Sequence, residues 1–231
     1  MHKRSRGKTV LEAIYPAAPE ELVAIAKEWS SAATSQILDL VWSAHDRLMS
    51  DPKTRAALAE ATEDLERGIS RLLCFAIDDE LSGNEPFRLI HGSTEDESRK
   101  APPARPREYD IAFVMRGNER IAWPLEAKIL KTPTALADYV RTIRQRFLTA
   151  EYAPFVTEGA MVGYLRSGEN VAAFTAIGAQ LQVRLRVMPR LNSRSHRFSA
   201  HLRTVAKGKA YPKRFRCHHL IMDCRVAVRG E

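Results

Sequence analysis

The chain has 231 residues, enough for one full hydrophobic core or for one domain with an extension. Its 36 Lys and Arg outnumber 28 Asp and Glu, a net charge of +8 that favours a polyanionic partner, and no apolar run reaches the length needed to cross a bilayer. The basic start MHKRSRGK is not followed by a signal-type apolar segment, and Cys74, Cys217 and Cys224 are scattered and odd in number, so a cytoplasmic protein without a disulfide framework is expected.

Residues 1–8 read as a basic arm that keeps the protein soluble or touches phosphates. Over residues 19–49, Leu22, Ile25, Ala26 and Trp29, then Ile37, Leu40, Val41, Ala44 and Leu48, recur at helical spacing, and Pro19 suits a first turn. These residues read as packing surface. Ser50-Asp51-Pro52 interrupts that helix and opens another, expected to run on through Ala61 into the next. Residues 62–81 carry Leu65, Ile69, Leu72, Leu73, Ala76 and Ile77 at intervals of three and four and end at Ser82-Gly83. After Pro86, residues 87–91 read as a short strand, followed by a polar, Pro-rich connector over 92–106.

The stretch REYDIAFVMRGNERIAWPLEAKILK, residues 107–131, reads as a hairpin. Side chains alternate between the faces of a strand, so the apolar sets Ile111, Phe113, Met115 and Ile121, Trp123, Leu125, Ala127, Ile129 share one face. Asp110, Glu126 and Lys128 are left together on the other. A three-residue loop at Gly117, Asn118 and Glu119 sets a register that places Asp110 across from Glu126, with Cβ atoms about 5 Å apart. Two carboxylates that close repel unless a cation sits between them, and their oxygens are what Mg²⁺ accepts. Lys128 could orient water and offset charge on a phosphate. Pro124 cannot donate to a ladder, so a bulge or an edge position is expected there.

Residues 135–150 read as a helix with Leu136, Tyr139, Val140, Ile143 and Phe147 inward; 159–165 as a buried strand; and 171–181 as a further helix. The last third reads as strands at 183–187, 196–205 and 214–228. It carries many Arg and Lys, from Arg184 to Arg216, which suits a phosphate-tracking surface, with Phe198, Tyr211 and Phe215 interleaved as base-stacking candidates. Cys217, His218, His219 and Cys224 have poor zinc spacing, since adjacent histidines on a strand point to opposite faces. Ser199, His201 and Arg203 share one strand face as a polar cluster. There is no Gly-x-x-x-x-Gly-Lys for nucleotide-driven translocation and no hydrolase-triad spacing.

An Asp in one strand followed by Glu-x-Lys in the next resembles the PD-(D/E)XK nuclease superfamily, the restriction-endonuclease-like fold. The resemblance rests on Asp110, on Glu126-Ala127-Lys128 and on the order helix, strand, hairpin, helix, strand across residues 62–168. Glu-x-Lys by itself is weak, because Asp51-Pro52-Lys53 offers a similar tripeptide at a helix start. The resemblance implies an α/β domain over 62–231, a mixed central sheet flanked by helices, preceded by a basic arm and helical extension over 1–61. It further implies a Mg²⁺- or Mn²⁺-dependent nuclease, endonuclease favoured, acting on DNA rather than RNA, of the kind found in bacterial restriction or anti-phage defence. Asp110, Glu126 and the carbonyl of Ala127 would hold the metal and Lys128 would position water. Glu66 is the accessory acid of the preceding helix, with Glu63 and Glu80 as competitors. A side chain of helix 135–150, Arg144 or Gln145, would lie over the phosphate. The alternative is a catalytically silent nucleic-acid-binding subunit of a larger complex. A docking role for the N-terminal helices toward a protein partner is the third reading, and oligomerisation is left open.

Overall fold

A computed structural model of the chain describes residues 10–95, 97 and 106–225; the arm at 1–8 and strand positions 226–228 lie outside them. Four helices come first: α1 (Val10–Ile14), α2 (Pro19–Ser50), α3 (Pro52–Glu60) and α4 (Leu65–Asp78). Strands β1 (Phe87–His91), β2 (Thr94–Glu95), β3 (Arg107–Glu108), β4 (Ile111–Met115) and β5 (Ala122–Leu130) follow, then α5 (Pro133–Thr142), β6 (Glu158–Leu165), α6 (Asn170–Leu181), β7 (His196–Leu202) and β8 (Arg214–Asp223).

Six strands form one mixed sheet in the order β1-β4-β5-β6-β8-β7. β1, β4 and β5 are mutually antiparallel, β5, β6 and β8 are parallel, and β7 returns antiparallel on the far edge. The molecule is therefore mixed α/β, a mixed central sheet flanked by helices. With helices over both faces, both parities of a central strand are buried, as in β4, where Ile111, Ala112, Phe113 and Val114 are all in the core.

α2 keeps the expected helix because its apolar residues return every third or fourth place, with Leu22, Ala26, Trp29, Ala33, Ile37, Val41 and Ala44 buried. These side chains belong to the same continuous core as the sheet. Polar ties add to that seat: the Trp29 indole N–H donates to the Pro86 carbonyl at 3.2 Å, and Arg194 pairs with Asp46 at 2.6 Å. Asp51 then caps α3, its carboxylate accepting the amides of Lys53 at 3.2 Å and Thr54 at 2.9 Å.

Five expectations are corrected. α3 does not run into α4: it stops at Ala61, and Asp64 takes a left-handed φ of 48°, a conformation Asp tolerates, so α4 starts afresh at Leu65. The connector is partly ordered as a two-stranded β2–β3 ladder, with Glu95 buried against the Tyr109 hydroxyl. Pro124 causes neither a bulge nor an edge. The ladder runs through it, Ala112 opposite Pro124, and its missing N–H points away from β4 toward β6, where pairing begins only at Leu125. Residues 183–187 make a single bridge, Arg186 to Phe198, because Gln182 at φ 57° ends α6 and Pro189 follows within a few residues. The helix expected over 135–150 leaves α-geometry at Ile143–Phe147, a π-turn in which the Leu148 amide reaches back to the Ile143 carbonyl at 2.9 Å.

Candidate active site

The site forms where β5 outruns β4. The last ladder pair is Ile111 with Leu125, so Asp110 stands one step beyond it, at the register place opposite Glu126. Past that point the amides of Ala127 and Ile129 face an edge with no strand. Carboxylates take them instead: Asp110 Oδ2 accepts from the Ala127 amide at 2.7 Å, and Glu66 Oε2 accepts from the Ile129 amide at 3.1 Å. The strand mismatch thus leaves two β5 amides to be taken by an acid from the bend before β4 and an acid from α4.

Lys128 lies between them. Its Nζ donates to Glu66 Oε1 at 2.7 Å and to the Ala127 carbonyl at 2.6 Å, and sits 3.6 Å from Glu126 Oε1. Burial alone would lower its pKa, but Glu126, Glu66 and Asp110 outweigh that and hold it above the ordinary lysine value. Glu126 is 9 % exposed, and burial, reinforced by the Asp110 charge, pushes its carboxyl up to about 8. Asp110 is also raised, by burial first, with the Ala127 amide and Lys128 opposing.

Of the three acids weighed for the helix position, Glu66 is the one that reaches the site, because the break at Asp64 starts α4 beside the end of β5. Glu80 turns to Arg47, at 3.9 Å. Glu63 is exposed and lines an apolar groove between α3 and α4.

The donor set suits a hard divalent cation: two carboxylates and the Ala127 carbonyl, all oxygen. Among the described residues Glu126 Oε2 is buried without a hydrogen-bond partner, and its carboxyl is raised by burial first and by the Asp110 charge second. Among the described residues no three or more His, Cys, Asp or Glu converge as a metal-ligand group. Glu66 accounts for this, being turned to Lys128 and Ile129 rather than to the carboxylate pair.

Arg144 and Gln145 do not reach the site: Arg144 donates to the Gln180 carbonyl on α6, and Gln145 is exposed. The π-turn shifts the helical phase, and Arg146 turns to Glu151, near enough to Tyr152 for its charge to act there. It pairs with Glu151 at 2.6 Å, and Arg107 approaches the same acid at 3.8 Å. Tyr152 stands between these groups and the site; burial and the charges of Glu126 and Asp110 raise its pKa, with Arg146 and Arg107 opposing. Its hydroxyl donates to the Glu108 carbonyl at 2.5 Å. Arg107, Arg146 and Tyr152 carried no motif that singled them out in the sequence.

In the basic C-terminal third Arg184, Arg186, Lys213 and Arg214 are exposed, while other cations are paired or buried. Arg190 pairs with Asp39, Arg216 with Glu158 at 2.9 Å, and Arg203, 5 % exposed, donates to the carbonyls of Tyr152, Ala153 and Val156. Phe215 and Tyr211 are buried rather than available for stacking, and Phe198 is half-buried with Arg216 over its ring. Cys217, His218, His219 and Cys224 are buried, and the two histidines do point to opposite faces, His218 toward His196 and Glu158, His219 toward Tyr139 and Ser199. Ser199 also bonds His201 at 2.6 Å, while Arg203 has left that cluster for the three carbonyls. No helix among the described residues is long and apolar enough to cross a membrane. Comparison of the chain with protein-family models, with curated proteins and with solved structures finds no match in any of the three.

Proposed function

We propose that the chain is a divalent-cation-dependent nuclease with a restriction-endonuclease-like core, hydrolysing phosphodiester bonds, with DNA the favoured substrate. One observation carries this reading: Asp110, Glu126 and Lys128 meet at the open end of β5, and Glu66 of α4 reaches the same point. Asp110, Glu126 and the Ala127 carbonyl would hold Mg²⁺ or Mn²⁺, which when bound supplies charge neutralisation on the phosphate and the leaving oxygen. Lys128, protonated and held by Glu66 and the Ala127 carbonyl, donates a hydrogen bond that orients a water in line with the P–O bond to be broken. The water oxygen bonds to phosphorus as that ester bond breaks, and a proton ends on the leaving oxygen. Glu126 and Lys128 are both largely shielded from water, so the Lys128 charge is screened less than at an open surface.

The test is incubation of the purified protein with linear DNA, circular DNA and RNA in Mg²⁺, Mn²⁺ or EDTA, with Glu126→Ala alongside. Cleavage that needs metal and is lost in the variant supports the nuclease, and cutting of the circle establishes endonuclease action. Absent cleavage with salt-sensitive binding retained favours instead a silent nucleic-acid-binding subunit, and cleavage that persists in EDTA overturns the metal-dependent reading.

A further inference from the structure

The cavity opening onto Asp110 has a volume of about 370 Å³, walled by the first turn of α4 on one side and the end of β1 on the other. Asp64, Glu66, Glu108 and Asp110 give this lining four carboxylates. Lys128 offsets little at the mouth, being engaged with Glu66 and the Ala127 carbonyl. A phosphate approaching such a wall is repelled unless cations face it. The lining holds one permanent cation, Arg67, and one histidine, His91. They come from opposite walls, Arg67 from α4 and His91 from β1, and both are exposed. Their placement contrasts with that of the neighbouring Arg71, one helical turn on, whose guanidinium lies 5.4 Å over the Phe75 ring beside a different groove.

We propose that Arg67 and His91 form a two-sided grip on the backbone of the nucleic-acid strand, each taking oxygens of a phosphate next to the one that reacts. This rests on the nuclease reading of the site. A guanidinium offers two parallel N–H donors to a phosphate and an imidazole one, so the strand is held between a fork and a single contact. The grip touches phosphate and no base edge, so it adds affinity and register without sequence preference.

The experiment measures affinity for a fluorescent single-stranded DNA oligonucleotide over a salt series, with Mg²⁺ present and Lys128→Ala as the parent so that nothing is cut. Into this parent go Arg67→Ala, His91→Ala, the pair together, and Arg71→Ala as a loss of the same charge from the same helix. Circular dichroism confirms the fold of each. The expected result is about tenfold weaker binding for Arg67→Ala, a fall of about 0.7 in the slope of log affinity against log salt, and a larger loss for the pair. Arg71→Ala should bind within about twofold of the parent. Affinity and slope unchanged in the double variant, or lost equally in Arg71→Ala, overturn the grip. Cleavage by the protein with Lys128 intact then decides the nuclease reading separately: activity there leaves it standing while the grip falls. A parent that neither binds nor, with Lys128 restored, cleaves overturns both.

Discussion

Glu66 uses its two carboxylate oxygens on two different parts of one strand, the Ile129 amide at 3.1 Å and the Lys128 ammonium at 2.7 Å. One helix side chain therefore fixes both the end of β5 and the direction of its lysine. Replacing it by Gln keeps an acceptor but removes the charge that holds Lys128. Glu66→Gln should lower cleavage by about 10- to 100-fold while changing stability by no more than about 1 kcal/mol, since the pair is partly solvated. Wild-type turnover in a variant with an unchanged melting temperature would show that Glu66 does not position Lys128 for chemistry.

Glu126 should make both stability and metal affinity pH-dependent. Its carboxyl is raised from 4.5 to about 8, so the folded protein holds a proton that the unfolded chain releases, and stability falls as pH rises through that interval. Glu126→Gln should remove the slope and be more stable than the wild type at pH 9, by an amount on the order of 3 kcal/mol. Mg²⁺ or Mn²⁺ binding should strengthen toward pH 8 and release close to one proton below it, which calorimetry in buffers of different ionisation enthalpy reads directly.

Arg146 rather than Arg144 should matter to the reaction. Arg146→Ala should lower kcat/KM about tenfold, and Arg144→Ala, which only frees the Gln180 carbonyl at the surface, should leave it within about twofold. Equal effects of the two would mean that the π-turn has no bearing on the site.

Arg203 is a structural cation. Arg203→Met would leave three inward carbonyls without their donor and lose the stack 3.7 Å from the Phe215 ring, a cost of about 3 kcal/mol in chemical denaturation.

The buried histidines should make the fold acid-sensitive. His196, stacked on His218 and facing Arg197 and Arg190, is lowered from 6.5 to about 3 by burial first. His218, facing His196, Glu158 and Arg216, is lowered too. The unfolded chain takes up these protons as pH falls below 6.5, so stability declines from there toward pH 3. His196→Phe should flatten the slope between about pH 6 and 4 in acid-unfolding curves, whatever it does to stability at neutral pH.

The parity of the hairpin was readable because a period of two admits one register once an apolar face is chosen, and the turn between β4 and β5, wider than the three residues expected, still leaves Asp110 opposite Glu126. Glu66 was readable only as one of three acids, since nothing in residues 62–64 announces that the helix restarts at Leu65. Arg146 was hidden by the same kind of local event, a wider turn that spacing rules assume away. The roles of Arg190, Arg203 and Arg216 depend on acids and carbonyls distant in the chain, so composition could not show that the first and last are paired at the surface and the second is buried.

A π-turn is equivalent to an α-helix with one residue inserted. The two ends of this turn, Ile143 and Phe147, are both fully buried, so the insertion is held in the core rather than at a free surface. Arg144 and Arg146, two places apart, are thereby sent to different neighbours, the Gln180 carbonyl and the Glu151 carboxylate. One extra residue in a helix thus parts two like charges while the core beneath them stays closed.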